Sequence, residues 1–167
     1  MELINSSSNY FLNKSTYINL RWIGIIGQFL TINIVAFIFK FEFNYILSNV
    51  IVIFGAISNI FLISYNRSTQ LSNKISFYYL LADILQLSLL LYLTGGILNP
   101  FSVFLIIPSV FASSNLNIKT NLILILVTIL SISVLTLYHQ ELPSPLNDYK
   151  LSNYYYYSIP LLSLIHI

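Results

Sequence analysis

Residues 45–65 read YILSNVIVIFGAISNIFLISY, an uninterrupted run without a single charged side chain. A helix rises about 1.5 Å per residue, so this run covers about 30 Å, the thickness of a bilayer's hydrocarbon core. It is apolar on every face instead of alternating, which predicts a membrane-spanning helix and not a barrel strand. The reading extends outward to its neighbours. Leu20–Phe39, Ile75–Leu93, Phe101–Leu116 and Asn121–Tyr138 are comparable runs, and another begins at Tyr154 and is still apolar at Ile167. The expected fold is all-α: a polytopic transmembrane helix bundle behind an N-terminal tail of residues 1–19. Its five complete spans lie at 20–39, 45–65, 75–93, 101–116 and 121–138, with an incomplete sixth at 154–167.

Composition supports the same class. Of 167 residues, 57% are hydrophobic and 7% charged, with a mean hydropathy of +0.81. A soluble domain carries roughly 25% charged residues, so membrane lipid must solvate most of this surface. There is no cysteine, hence no disulfide and no thiolate metal site. His139 and His166 lie far apart and have no partner at metal-ligand spacing, so no metal is expected. A net charge of +2 is too small to suggest nucleic acid. The opening MELINSSSNYFLNKS lacks the regions of a cleavable signal peptide, so the first span is expected to remain in the protein.

The basic residues orient the bundle. With the N-terminus in the cytoplasm, Lys14, Arg21, Arg67, Lys74 and Lys119 fall inside, and only Lys40 and Lys150 fall outside. Tyr154–Tyr157 then sit where interfacial tyrosines belong. The final apolar stretch, about 21 Å if helical, is short for a crossing, which leads us to expect a fragment of a longer protein.

Asp83 is the only ionisable residue placed deep inside a predicted span. Gln86 at i+3 and Tyr79 at i−4 share its face. Gln28 and Asn59 fall at similar depths on the first and second spans, about 10 Å from their ends. An intramembrane acid is a functional candidate by default, here the centre of a proton-responsive or signalling network. The alternative is interhelical hydrogen bonding that only holds the bundle together. Either way, the cost of a carboxylate in hydrocarbon predicts that Asp83 faces the bundle interior, with protonation one way to lower that cost.

Between spans three and four lies LTGGILNPF, residues 93–101. A Gly pair supplies the positive φ that ends helices, Asn99 suits an N-cap, and Pro100 suits the first helical position. The same residues also suit a ring-shaped ligand. Gly95 and Gly96 would permit close approach, the Asn99 amide could donate and accept, and Phe101 could stack on a quinoid face. Both readings can hold together.

Taken together these residues resemble the RegB/PrrB-type redox-sensing histidine kinases of proteobacterial two-component systems. Gly95-Gly96-Ile97-Leu98-Asn99-Pro100-Phe101 matches that family's Gly-Gly-x-x-Asn-Pro-Phe motif at the matching place. RWIGIIGQ supplies the Arg21, Trp22, Gly27 and Gln28 typical of its first span, and ADILQLSLLLYLTGG looks like its third. The resemblance covers about residues 18–117. It implies a six-span sensory region in the bacterial inner membrane, with quinone, specifically ubiquinone, sensed at Gly95, Gly96, Asn99, Pro100 and Phe101. It also implies a homodimer, a response regulator as partner and ATP bound by a kinase module. That module is absent from these residues, so no catalytic residue is assigned. HQELPSP, at 139–145, echoes the phosphoacceptor sequence, but its Glu is displaced and it lies outside the membrane. The competing function is a small proton-coupled transporter using Asp83. A lipid-modifying enzyme lacks the paired acids or metal ligands it would need.

Overall fold

The structure, a computed structural model, describes residues 12–65 and 69–142. Arg67, Lys150 and the expected sixth span at 154–167 lie outside the described residues. Helix α1 covers Lys14–Asn33 and continues as a π-helical turn over Ile34–Ile38. Helices α2 (Tyr45–Tyr65), α3 (Asn73–Leu93), α4 (Ile107–Asn115) and α5 (Ile118–Leu137) follow. Four of these, α1 with its π-helical extension, α2, α3 and α5, are long and apolar enough to cross a membrane.

The fourth expected span, 101–116, is not a continuous α-helix. Pro100–Ile106 is 3-10 helix, and only Ile107–Asn115 is α-helical. Two prolines explain the break: Pro100 starts the segment, and Pro108 cannot donate to the carbonyl a regular helix would offer it. The stretch still runs the length of the bundle. The backbone N–H of Gln140, just beyond α5, donates to the Tyr92 carbonyl at 2.9 Å. At the opposite end Asn73 Nδ2 donates to Thr120 Oγ1 at 2.9 Å, and the Asn117 N–H donates to Asn73 Oδ1 at 3.0 Å. Helices α3 and α5 are therefore parallel neighbours, and Pro100–Asn115 returns between their ends. At about 2.0 Å per 3-10 residue and 1.5 Å per α residue it covers about 27 Å.

The first span also begins earlier than expected. Asn13 caps α1, its Oδ1 accepting from the N–H groups of Ser15 (3.1 Å) and Thr16 (3.3 Å). The polar sequence Lys-Ser-Thr that follows conceals the helix from a hydropathy reading. A two-residue antiparallel pair, β1 (Leu12–Asn13) with β2 (Gln70–Leu71), ties this start to the α2–α3 connection. Leu12 and Leu71 are fully buried there.

One apolar core joins Tyr17, Leu80, Ile84, Leu105, Ala112, Leu124 and Ile132 across α1, α3, the 3-10 segment, α4 and α5. A second joins Ile25, Ile32, Val52 and Leu90 across α1, α2 and α3, with Trp22 packed against it. Outward faces carry Ile23, Phe54, Val110 and Leu126, more than half exposed, as lipid-facing positions should be. Gly27 faces open space.

Candidate functional site

A charged residue in hydrocarbon must find a partner, and Asp83 finds two. Its Oδ1 accepts from Arg21 Nε at 2.9 Å and makes an ion-pair contact with Nη2, also at 2.9 Å, and its Oδ2 accepts from the Tyr17 hydroxyl at 2.5 Å. Arg21 reaches further. Nη1 donates to Asn59 Oδ1 at 3.3 Å and Nη2 to Ser58 Oγ at 2.6 Å, so one guanidinium links α1, α2 and α3. The rings of Tyr17 and Tyr79 lie 5.6 and 5.4 Å from its carbon, close enough for cation–π attraction. Asn59, fully buried, also donates to the Ile18 carbonyl.

This corrects two expectations. Asp83 is not the only ionisable residue deep inside a span, and Arg21 is not a loop charge at the membrane edge. Because α1 starts at Lys14, Arg21 lies seven residues inside it, about 10 Å deep, where only 5% of its side chain is exposed. Tyr17 and Ser58 are members that hydropathy does not flag. Helical spacing carried a signal for Tyr17, which stands four residues before Arg21 as Tyr79 stands four before Asp83.

Higher on the same face, Gln86 Nε2 donates to Gln28 Oε1 at 3.0 Å. The amide crosses directly over Gly55 of α2, where an added Cβ would come within 2.6–2.8 Å of it. Gly55 is thus the residue that admits this second polar contact. Asn33 and Asn49 exchange side-chain hydrogen bonds of 3.1 and 3.3 Å higher still. Polar bonds therefore tie α1 to its neighbours at three depths, to both α2 and α3 at Arg21, to α3 at Gln28 and to α2 at Asn33.

The 93–101 loop is built as a cap. Gly95 and Gly96 have φ of +106° and +58°, the left-handed region that favours glycine. Asn99 Oδ1 accepts from the Phe101 N–H at 2.9 Å. Asn99 Nδ2 donates to the Thr94 carbonyl (3.0 Å) and hydroxyl (2.8 Å), and Pro100 takes the first helical position. The space above the glycines is filled from within. A Cβ on Gly95 would collide with Leu142, and one on Gly96 would meet His139 at 2.5 Å and the Leu135 carbonyl at 2.8 Å. A flat ring has no seat against these glycines, and the Asn99 donors are already engaged. Phe101, 40% exposed and tilted against Phe104 at 5.6 Å, remains open on the outer surface.

The chain is 32% identical over 112 residues to sensor histidine kinase RegB of Cereibacter sphaeroides. The chain is a distant relative of RegB-type sensor kinases. The aligned part is 65% of this chain but 24% of RegB, so the chain spans about a quarter of RegB's length. No family model matches the sequence, and no solved structure matches the fold. With RegB as relative and four apolar helices of spanning length, the chain is a membrane-bound protein.

Proposed function

We propose that this chain is the membrane-embedded sensory domain of a redox-responsive two-component sensor histidine kinase. It would be held in the bacterial inner membrane as a homodimer, with its N-terminus in the cytoplasm. The observation that carries the reading is the similarity to RegB over 112 residues. In this arrangement Pro100–Asn115 serves as the fourth passage, and the domain signals to a cytoplasmic kinase module. That module binds ATP and hands phosphate to a response regulator.

The sensed species we propose is quinone, ubiquinone in particular. Since Leu142 and His139 cover Gly95 and Gly96, the head group approaches from the lipid side, stacking on Phe101 beside Pro100. Gly95, Gly96 and Asn99 then act by holding the loop's shape. A transporter with Asp83 as coupling acid is less well supported, because both carboxylate oxygens are engaged by Arg21 and Tyr17.

The test is a chimera in which this chain replaces the membrane region of RegB, assayed in proteoliposomes for autophosphorylation from radiolabelled ATP. Phosphorylation should differ between vesicles holding oxidised and reduced ubiquinone, and Phe101→Ala should abolish the difference while leaving basal phosphorylation intact. An active chimera with equal phosphorylation in both vesicles, beside a responsive RegB control, would refute quinone sensing. A chimera with no kinase activity despite correct insertion would count against the sensory-domain reading itself.

A further inference from the structure

Between α3 and α5 runs an apolar groove of about 360 Å³. Leu85, Leu89 and Tyr92 line one wall, and Val127, Val134 and Leu135 line the other, with Ser88 and Ser131 the small polar members. Parallel helices that pack closely normally interdigitate, so an open seam between two such neighbours wants a third element. It occupies the half of the bundle nearest the 93–101 loop, reaching about 10 Å down α3 from Tyr92 to Leu85.

The chain itself leads to the mouth of this groove. After α5 ends at Leu137, Gln140 is hydrogen-bonded to the carbonyl of Tyr92, a groove residue. Leu142 then packs against the main core and lies over Gly95. Residues 143–153 follow, a connection that reaches up to about 36 Å when extended. Beyond them Tyr154–Ile167 reads YYYYSIPLLSLIHI, with no Asp, Glu, Lys or Arg. Its four tyrosines suit the membrane interface and its aliphatic residues suit a wall of leucines and valines. As a helix it would measure about 21 Å, enough to descend past the whole groove from the end where Leu142 stands.

We propose that Tyr154–Ile167 packs into the groove between α3 and α5. The segment then touches Leu135, whose carbonyl backs Gly96, so the loop and the last apolar stretch share one wall. This placement does not depend on the kinase reading.

The absence of cysteine makes the test direct. In membranes holding the full chain with a protease site inserted between residues 143 and 153, Ser131→Cys or Ser88→Cys is combined with single cysteines at positions 158, 161, 162 and 163. After mild oxidation and cleavage, the two fragments should stay joined without reductant for at least one pair. Phe54→Cys on α2, 71% exposed, serves as the control and should join several-fold less. Joining to Phe54 as efficient as to Ser131, or joining only between two copies, would overturn the proposal. So would no joining while maleimide labels every introduced cysteine, which would leave lipid as the occupant.

Discussion

The guanidinium of Arg21 meets one carboxylate, two tyrosine rings, an amide and a serine, contributed by all three of the first helices. Removing one member of a buried ion pair leaves the other uncompensated, which costs about 3–5 kcal/mol. Arg21→Ala and Asp83→Ala should each destabilise the bundle by that amount, read as a shifted midpoint of unfolding in mixed detergent micelles. Arg21→Met combined with Asp83→Leu should recover part of the loss, because it removes both charges together. Additive losses in the double variant would show that the two residues act separately. Asp83, Gln86, Gln28 and Asn59 were legible as polar positions because uncharged surroundings make each conspicuous, but their division into two levels was not. The partnership with Arg21 was not. Hydropathy started the first span at Leu20, after the polar turn that Asn13 caps, and so left Arg21 at the membrane edge. Gly55 was silent for a different reason: its role exists only where the Gln86 amide crosses it in three dimensions.

At the scale of elements, the loop shows how one motif can be read correctly for its shape and incorrectly for its room. Glycine at positive φ, an Asn N-cap and a leading proline are local rules, and residues 95–100 obey them. What fills the space above the glycines comes from about forty residues later, beyond the reach of local rules. Asn99→Ala should cost about 1 kcal/mol through loss of the cap. Asn99→Asp keeps the oxygen that accepts from Phe101 but loses both donations to Thr94, so its midpoint should fall between those of wild type and Asn99→Ala. Equal loss in the two variants would assign the stabilisation to the Thr94 contacts alone. The 101–116 run was legible as apolar, whereas its 3-10 winding was not, since composition records hydrophobicity and says little about pitch.

For the whole molecule, Lys14, Lys74 and Lys119 stand at the end where Asn73 meets Asn117, and Lys40 stands at the other. A positive-inside bias places the three-lysine end in the cytoplasm. Cysteines replacing Lys74 or Lys119 should therefore resist a membrane-impermeant maleimide in intact cells, while one replacing Lys40 is labelled. The reverse pattern would invert the bundle and with it the proposed direction of signalling. The bundle's class and most of its helices could be read from apolar run length alone, because a bilayer imposes length so strictly. The order of neighbours could not, since side-chain bonds such as those of Asn73 with Thr120 and Asn117 set it.

The passage from Asn99 to Asn117 has little slack. Wound wholly as α-helix, Pro100–Asn115 would reach about 24 Å, against about 31 Å for α3 beside it, and the 3-10 winding together with the extended Leu116 and Asn117 makes up the difference. Both ends are pinned, one by the Asn99 bonds to Thr94 and the other by the Asn117 bond to Asn73. The segment is a taut strut. The loop and the far end of the bundle keep a fixed separation, and neither can be displaced along the helix axes without tugging on the other.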